Sequence, residues 1–417
     1  AGFRVSVLEA GSVPGGRVGE RKVRGIRFNA GARLIYAFSK PFNRLLGEIG
    51  LAADLVPVRR LSAQCAGEKE SWTVELMPGL RSLLTPGLPA AERFRLVSFA
   101  LATLPARGRA DPDDAASVAG ADEVTLSEYI RAHLGREVLA RMVEPIFRGT
   151  RSWNPEQVSA AFFASTAPHL VGRDTVHVFK GGMGRLPQAL AAGLTVECGA
   201  CVEAAETPES GPCRVHVRGR GGPTIHEADI VVCATEGSLA AGIFPNLPEQ
   251  ERSFLAKVRY NSLGIVHYQL DRQVGPEMKF FAREAAGMVS TWQQVPGDEV
   301  AGQAPQLYAQ LSPEATEAAR ELGITDRLDE LVGRRVRELY PDLDAHCIDR
   351  HSQWIERMLP VFYPGYASAM AAFRNRQSAE RRKVYFCGDY LAQALVTGAA
   401  ASGERAAQDI IRHWGGS

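Results

Sequence analysis

The chain has 417 residues, which is too long for one compact domain, so its length predicts two or three lobes. Hydrophobic residues make up 45% and charged residues 23%, as in ordinary globular proteins, which excludes a disordered chain, a collagen, a coiled coil and a disulfide scaffold. Lys and Arg total 48 against 47 Asp and Glu, so the formal net charge is +1 and no nucleic-acid partner is indicated.

The first half of the chain begins as strands and loops and then becomes helical. Residues 3–9 are predicted to form a strand, residues 11–17 a turn-rich loop, and residues 26–28 part of a second extended stretch. Apolar residues recur at helical spacing over residues 41–51. Residues 90–170 are predicted to be largely helical, with an Asp-rich loop at 111–122. Thr125 and Glu128 form a capping box at one helix start.

The second half contains most of the predicted strands. Strands are expected at residues 175–179, 194–198, 214–218 and 229–234, with a helix at 185–192. The run 229–234 is almost continuously apolar, as in a buried parallel strand. Residues 258–311 are rich in β pattern, residues 325–339 form an amphipathic helix, and a strand at 383–387 precedes a helix at 398–414. The order predicts an α/β nucleotide-binding lobe interleaved with an α+β lobe.

The seven cysteines give no metal site. Only Cys198 and Cys201 are close together, and they lack the second CxxC or HxxxH pair that zinc requires. Their spacing is interpreted as chance, with a redox pair as the alternative. The odd number and the lack of a signal peptide favour a reducing, cytoplasmic location.

One apolar run has two interpretations. Residues 96–106 lie between Arg95 and Arg107, and the run is shorter than the ~18 residues that span a bilayer. The favoured interpretation is a helix packed within the protein that lines a substrate channel. The alternative is an amphipathic helix with basic flanks that rests on a membrane surface, which would make the chain membrane-associated.

The opening strand ends in Glu9, the position at which a dinucleotide-binding βαβ unit binds the adenosine ribose. The glycine-rich turn of such a unit lies about 20 residues earlier, which would fall before residue 1. The chain is therefore expected to lack an N-terminal strand and phosphate turn. Glu9 alone is equally compatible with a solvated strand end.

Four segments, in order, carry a specific resemblance. They are the strand at 1–10 with Gly15-Gly16-Arg17-Val18, the segment Gly181-Gly182-Met183-Gly184, the strands at 196–202 and 228–232, and Gly388-Asp389 with the glycine- and alanine-rich run 397–407. Together they resemble the flavin-containing amine oxidoreductase superfamily, which includes amine oxidases, protoporphyrinogen oxidases and carotenoid desaturases. The resemblance extends over the nucleotide-binding lobe from residue 1 to the end of the chain.

The resemblance implies FAD as the cofactor, held in a Rossmann-like lobe of the glutathione-reductase type. That lobe comprises residues 1–60, 175–250 and 380–417, and an α+β substrate lobe comprises residues 61–174 and 251–379. The implied FAD contacts are Glu9 to ribose, Gly15, Gly16 and Arg17 to pyrophosphate, Val202 to adenine, Gly388 and Asp389 to ribityl and phosphate, and Gly398 and Ala399 at a helix start facing the flavin. Without a Cβ at 15 and 16, the backbone can approach a phosphate closely.

A second segment helps to choose a branch of the superfamily. Gly31-Ala32-Arg33-Leu34 resembles the segment that passes near the flavin in protoporphyrinogen oxidases, with Ala32 where Pro is usual. Arg33 is then placed to bind a substrate carboxylate, and the equal alternative is a bridge to pyrophosphate or to a surface acid.

Two departures argue against amine oxidation. The stretch 393–397 lacks the aromatic residue that precedes the C-terminal helix in amine oxidases. The strand at 263–270 offers His267 where those enzymes commonly place a Lys. Both indicate a larger apolar substrate, with His267 and Tyr363 as pocket candidates, although each is also compatible with a core position.

The sequence thus predicts an FAD-dependent oxidoreductase that dehydrogenates an apolar substrate by hydride transfer, in the manner of protoporphyrinogen oxidases or desaturases. Oxygen or another acceptor would reoxidise the flavin, and no catalytic acid or base is predicted because the cofactor supplies the chemistry. The alternatives are a flavin amine oxidase and a flavin-fold binder or fragment without turnover. The sequence does not give the oligomeric state.

Overall fold

The computed structural model describes residues 2–36, 38–58, 62–170, 176–298 and 303–415. Its strands are β1 Ser6–Glu9, β2 Glu20–Val23, β3 Ile26–Asn29, β4 Ile35–Tyr36, β5 Leu55–Pro57, β6 Ser62–Ala66, β7 Ser71–Glu75, β8 Val176–Phe179, β9 Thr195–Cys198, β10 Cys201–Glu206, β11 Cys213–Gly219, β12 Gly222–Ala228, β13 Val231–Cys233, β14 Tyr260–Leu270, β15 Glu277–Phe281, β16 Val289–Val295, β17 Gln306–Leu311, β18 Cys347–Pro360 and β19 Val384–Phe386.

The helices complete the mixed α/β architecture. They are α1 Lys40–Glu48, α2 Ala90–Thr103, α3 Leu126–His133, α4 Arg136–Val138, α5 Glu144–Arg151, α6 Ala161–Leu170, α7 Arg185–Ala191, α8 Gly237–Ile243, α9 Glu249–Ala256, α10 Arg283–Ala286, α11 Pro313–Glu321, α12 Asp329–Leu339, α13 Leu343–His346, α14 Tyr366–Ala379 and α15 Val396–Trp414. The predicted α/β fold with interleaved segments is confirmed.

The nucleotide-binding part contains two parallel strand pairs. β1 pairs with β9, and β13 pairs with β19, so residues far apart in sequence meet side by side. β10, β11 and β12 form an antiparallel sheet next to them. Within the described residues the two parallel pairs are not hydrogen-bonded to each other, and residues of both β1 and β13 line one cavity.

The substrate-side part is built on a seven-stranded sheet with the order β18-β14-β17-β16-β15-β6-β7. Its central strand β14 is buried along almost its whole length because β17 and β18 pair with it on both sides. Helices α11 and α12 cover one face through a cluster that includes Val266, Trp292 and Val332. The sheet therefore provides a rigid wall on which cavity side chains are fixed.

The largest core cluster joins the helical segment α3–α6 to the nucleotide-binding strands. It includes Ile130, Phe147 and Phe162 from the helices and Val217 and Phe386 from the strands. The Thr125–Glu128 capping box predicted from sequence is present at the start of α3, with Glu128 N donating to Thr125 Oγ1 at 3.2 Å. The helices and strands thus share one continuous apolar interior.

Three sequence predictions of element bounds or burial need correction. The helix predicted over residues 325–339 begins only at Asp329, because residues 326–328 form a turn before it. The C-terminal helix begins at Val396 rather than near Gly398. The strand predicted as buried at 229–234 is the shorter β13, and its Val232 is 47% exposed because it lines the cavity described below. Thr175 lies outside the described residues.

The apolar run at 96–106 spans the end of α2 and the short 3₁₀ helix Leu104–Gly108. Leu96 and Phe99 pack against the main core cluster, as the favoured interpretation requires, but no residue of this run lines the described cavity, so the expected channel contact is wrong. None of the residues of α2 is buried, however, and Phe94 is 72% exposed. Across the described part of the chain, every helix is too short or too polar to span a bilayer.

Candidate functional site

A cavity of about 2390 Å³ is bordered by residues of both parts of the fold. Its lining runs from β1 and β10, through the loop after β1 and the start of α15, to the seven-stranded sheet at β14 and β17. Most of the residues that the sequence singled out border this cavity. It is therefore the candidate site for a nucleotide cofactor and a substrate.

The loop after β1 forms a tight turn at Gly15 and Gly16. Both have positive φ, 128° and 49°, a region that favours glycine. A Cβ added at Gly15 would lie 2.8 Å from Pro187, whereas one at Gly16 would meet no atom within 4 Å. Because Gly16 lines the cavity and leaves that space open, the backbone can be approached closely by a phosphate there.

The predicted cofactor residues Arg17 and Asp389 contact each other directly. Nη1 of Arg17 donates to Oδ2 of Asp389 at 2.8 Å and to the carbonyl oxygen of Met358 at 2.7 Å, and Nη2 donates to Oδ1 of Asp389 at 3.2 Å. Burial by itself lowers the pKa of the Arg17 guanidinium, but the Asp389 carboxylate outweighs it and leaves that pKa raised. The pair fixes the Gly-Gly-Arg turn beside the C-terminal motif.

Gly31 and Ala32 lie beside the Gly-Gly-Arg turn. The amide of Ala32 donates to the carbonyl oxygen of Arg17 at 2.8 Å, so the segment runs alongside the turn. Leu34, Arg33 and both of these residues line the cavity. The structure therefore brings residues 31–34 to the same site as the turn formed by Gly15, Gly16 and Arg17.

The start of α15 borders the cavity through Val396 and Ala399. Gly398 is buried and allows a close approach, because a Cβ there would lie 2.2 Å from the carbonyl oxygen of Gln393. Ahead of the helix, the amide of Gly388 donates to Ser402 Oγ at 3.1 Å. This helix start therefore directs its unpaired amides and partial positive charge toward the cavity region, which suits an anionic group.

The opposite end of the cavity is lined by Glu9 and Val202. Oε1 of Glu9 accepts from the amide of Gly11 at 2.6 Å, and the second oxygen stays available to another donor. Cys198 and Cys201, the CxxC pair, are both free thiols, and Cys201 lies next to Val202 along the lining. Glu9 and Val202 thus border the same cavity, and the ribose and adenine contacts that the resemblance implies for them stay predictions.

On the seven-stranded sheet, Arg33 and His267 meet around Tyr308. Nη1 of Arg33 donates to the Tyr308 hydroxyl at 2.5 Å, and its guanidinium lies 4.4 Å from the Tyr308 ring centroid. The rings of His267 and Tyr308 are 6.0 Å apart, and His267 stacks on Phe28 at 4.7 Å. All four side chains line the cavity, so they form one surface.

The hydrogen bonds of Gln353 determine which nitrogen of His267 carries the proton. Nε2 of Gln353 donates to the carbonyl oxygen of Asn29 at 3.1 Å, so its Oε1 faces Nε2 of His267 at 2.8 Å and must accept from it. Nδ1 of His267 is then an acceptor, and it is buried without a partner among the described residues. Burial, with the nearby Arg33, lowers the pKa of His267 to about 3, so the ring is neutral.

Tyr363 does not reach the cavity in this structure. Its hydroxyl donates to the carbonyl oxygen of Lys257 at 3.3 Å, and its ring packs edge-on against Tyr366. Tyr366 is fully buried and donates to the carbonyl oxygen of Tyr390 at 2.9 Å. Tyr366 therefore occupies the core, and the half-buried Tyr363 packs against that core cluster instead of lining the cavity.

Sequence reasoning missed two features of the lining. Arg151, at the end of α5, and Tyr308, on β17, both line the cavity, and neither lies in a motif. The other missed feature is a group of glutamines on the sheet and its adjoining loop, Gln293, Gln303, Gln306 and Gln310. Alternation along β16 and β17 was the only available signal, since residues two apart face the same side of a sheet.

A family model for flavin-containing amine oxidoreductases matches residues 1–411. The chain belongs to this family. It is accordingly an FAD-dependent oxidoreductase, and the recognition made from the motifs is confirmed. The open backbone at Gly16, the helix start at α15 and the acceptor at Glu9 fit FAD, so this family member would hold it with those groups.

Solved structures show the same fold at low sequence identity. A candidate protoporphyrinogen oxidase from Exiguobacterium sp. 255-15 has 17% identity and a TM-score of 0.70, with 98% of this chain and 93% of that chain covered. Putrescine oxidase bound to putrescine has 17% identity and a TM-score of 0.72, with 99% of this chain and 94% of that chain covered. Cyclohexylamine oxidase from Brevibacterium oxydans IH-35A has 16% identity and a TM-score of 0.69, with coverages of 97% and 93%. No curated protein matches this chain.

Proposed function

We propose that this FAD-dependent oxidoreductase dehydrogenates an apolar, polycyclic or polyene substrate, as protoporphyrinogen oxidases and desaturases do, and that it does not oxidise amines. The observation that carries the proposal is the composition of the substrate side of the cavity. Within the described residues, no Asp or Glu from residues 62–170 or 251–379 lines it. A protonated amine would find no counter-ion on that wall, and burying an unpaired charge is costly.

Aliphatic and amide side chains make up most of this wall. Leu263, Met278 and Val295 supply apolar surface, and the four glutamines supply neutral hydrogen-bonding groups. Such a lining suits a large apolar body that carries a few polar atoms. A compact ammonium ion would gain little from it.

The cofactor supplies the redox chemistry: FAD bound in this cavity would accept a hydride and pass the electrons to oxygen or another acceptor. The protein positions the substrate. The sheet holds Tyr308 and His267 on neighbouring strands, and Phe28 closes the other side of the imidazole. Because Nε2 of His267 is bonded to Gln353 and Nδ1 is buried, the imidazole contributes a neutral ring to this wall and adds no charge to it.

Anaerobic flavin reduction tests the proposal. FAD-loaded protein would be mixed with protoporphyrinogen, with a carotenoid precursor, and with the amines putrescine and cyclohexylamine, while the visible absorbance of the flavin is followed. We expect the porphyrinogen or the polyene to bleach the flavin. Bleaching by the amines alone would overturn the proposal in favour of amine oxidation, and no bleaching by any of them at full flavin occupancy would leave a flavin binder.

We also propose that the protein contacts a membrane surface through its α2 segment. The α2 patch consists of Leu80, Leu84, Phe94, Val97 and Leu101, which are all exposed. Residues 80–110 contain five arginines and one glutamate in a chain whose net charge is only +1. The one glutamate, Glu92, does not offset these charges at the patch, because its Oε2 accepts a hydrogen bond from the amide of Val138 at 2.9 Å. An exposed apolar patch with flanking cations is typical of proteins that rest on anionic lipid.

A further inference from the structure

Asp113 is a buried carboxyl that lies outside the cavity lining, in the Asp-rich loop ahead of α3. It is 2% exposed, and its Oδ1 has no hydrogen-bond partner among the described residues. Burying a carboxylate without a partner is costly, so an acid kept at such a position indicates a role beyond packing. The contacts of the loop connect this acid to the start of α15.

The backbone that carries Asp113 is fixed against the C-terminal motif. The amide of Ala115 donates to the carbonyl oxygen of Ala392 at 3.0 Å, a few residues ahead of α15. The guanidinium of Arg374 donates to both carboxylate oxygens of Asp114, at 2.7 and 2.8 Å, so Asp114 has its own counter-ion. These bonds hold the Asp113 side chain in one position relative to α15.

The Asp113 carboxyl lies between the starts of two helices. The hydroxyls of Ser39 and Thr397 are close enough to it to lower its pKa. Ser39 is the N-cap of α1, where its Oγ accepts from the amide of Phe42 at 3.2 Å, and Thr397 is the second residue of α15. The first amides of a helix are unpaired and carry partial positive charge. An ionised carboxyl at this position therefore offsets the charge of both helix starts.

The first turn of α15 connects Asp113 to the cavity. Val396 and Ala399 line the cavity, whereas Thr397, which follows Val396, is 1% exposed and lies beside Asp113. The same helical turn thus has the cavity on one side and the carboxyl on the other. Buried surroundings screen a charge weakly, so the charge of Asp113 acts on a group bound at this turn.

The surroundings of Asp113 favour its neutral form more than water does. The charged groups packed around it are Asp111, Asp114, Arg374 and Arg405. Burial is the largest influence and raises the pKa of Asp113, while the two hydroxyls and Arg405 offset only part of that rise. The carboxyl therefore changes its charge at a higher pH than an exposed aspartate does.

We propose that Asp113 is a positioning residue for the flavin reaction, and that one proton on its carboxyl switches the electrostatic effect of the α15 start on bound FAD. The ionised carboxylate offsets the partial positive charge of that helix start. The neutral acid leaves this charge free to stabilise the negative charge that the flavin gains on reduction. The inference rests on the FAD that the family binds and is independent of the substrate.

Anaerobic equilibration of the FAD-loaded protein with a reference dye tests this inference. Dithionite reduces both stepwise between about pH 5 and pH 9, and visible absorbance gives the ratio of reduced to oxidised flavin at a fixed dye ratio. Asp113→Asn and Asp113→Ser remove the charge with side chains of different size. Asp111→Asn is the matched control, because it removes the same charge from an exposed neighbour whose Oδ1 accepts from the amide of Asp113 at 2.9 Å.

At the highest pH we expect both Asp113 variants to shift the redox equilibrium toward reduced flavin by about tenfold, the order of effect that one partly buried charge has at a helix start. The difference from the native protein should shrink as the pH falls, because the native carboxyl then takes up its proton. Asp111→Asn should follow the native protein at every pH.

Equal redox equilibria for the native protein and both Asp113 variants would overturn the inference. A shift that is the same at every pH, or one that Asp111→Asn reproduces, would overturn it as well, because either result would show a structural or a general charge effect. Failure here is separate from failure of the proposed function, since the dye experiment contains no substrate and the bleaching experiment contains no variant.

Discussion

Arg17 and Asp389 form a two-point ion pair although they are 372 positions apart in the sequence. The Asp389 side chain is only 8% exposed, so its charge depends on Arg17 for compensation. We expect Arg17→Met to destabilise the fold by about 3–5 kcal/mol, because it leaves a buried carboxylate without its partner. Urea unfolding monitored by circular dichroism measures this change.

The double variant Arg17→Met/Asp389→Asn provides the control for that prediction. With both charges removed, no buried charge is left unpaired, so the double variant should be more stable than Arg17→Met alone. Additive losses from the two single substitutions would show that the pair carries no coupling energy, contrary to the expectation.

Gly16 is expected to be essential for FAD retention and not for folding. Gly16→Leu fills the open space above the turn where a phosphate would approach, so the purified protein should lose its flavin. Gly50 offers a matched control, since its φ is also positive, at 73°, a Cβ there meets no atom within 4 Å, and it lies outside the cavity lining. Gly50→Leu introduces comparable backbone strain and should retain flavin. Flavin-to-protein absorbance ratios compare the two, and a fully yellow Gly16→Leu protein would contradict the assignment.

The buried, neutral His267 makes stability depend on pH. Burial lowers its folded-state pKa to about 3, below the ordinary value near 6.5. Its contribution is therefore fully present above pH 6.5 and is lost as the pH falls toward 3, because only the unfolded chain takes up the proton. His267→Gln has no such titrating group. The difference in free energy of unfolding between the native protein and this variant should therefore shrink by up to about 1.4 kcal/mol per pH unit below pH 6.

Urea unfolding of both proteins at pH 7, 5.5 and 4.5 gives that difference directly, since the other titrating groups are common to the two. A difference in stability that stays constant with pH would mean that His267 accepts a proton in the folded state.

The α2 patch should confer binding to anionic vesicles. Sedimentation with phosphatidylserine-containing vesicles is expected to pull down the native protein, less so at high salt, since the arginine attraction is screened. Phe94→Ser/Leu101→Ser should weaken the binding several-fold. Leu322→Ser removes an equally exposed leucine at the end of α11 and should have no effect. Equal binding by all three proteins would exclude the patch as the contact.

The sequence predicted the cofactor side of the site better than the substrate side. Gly15, Gly16, Arg17 and Asp389 occur in short motifs whose residue types are dictated by phosphate and ribityl chemistry, so they can be found without a structure. Arg151 and Tyr308 occur in no motif, and only the pairing of β14 with β17 and the packing of α5 bring them together. Local patterns cannot indicate such non-local contacts.

The same limit explains the predictions that failed for Tyr363 and for residues 229–234. An aromatic residue near the cavity strand and one in the core have the same local pattern, and only the hydrogen bond of Tyr363 to Lys257 separates them. For β13, an apolar run indicates burial on both faces of the strand, whereas Val232 faces the cavity and is 47% exposed. Both cases depend on which elements become neighbours.

The pairing of β13 with β19 also determines the order in which the protein can assemble. Val231 lies beside Val384, so this part of the nucleotide-binding lobe cannot close until the ribosome has released residues 384–386. The hairpin partners β16 and β17, in contrast, are adjacent in sequence and form soon after synthesis. The substrate-side sheet, however, is completed only when Cys347–Pro360 pairs with β14, so both parts of the fold depend on strands that are synthesised late.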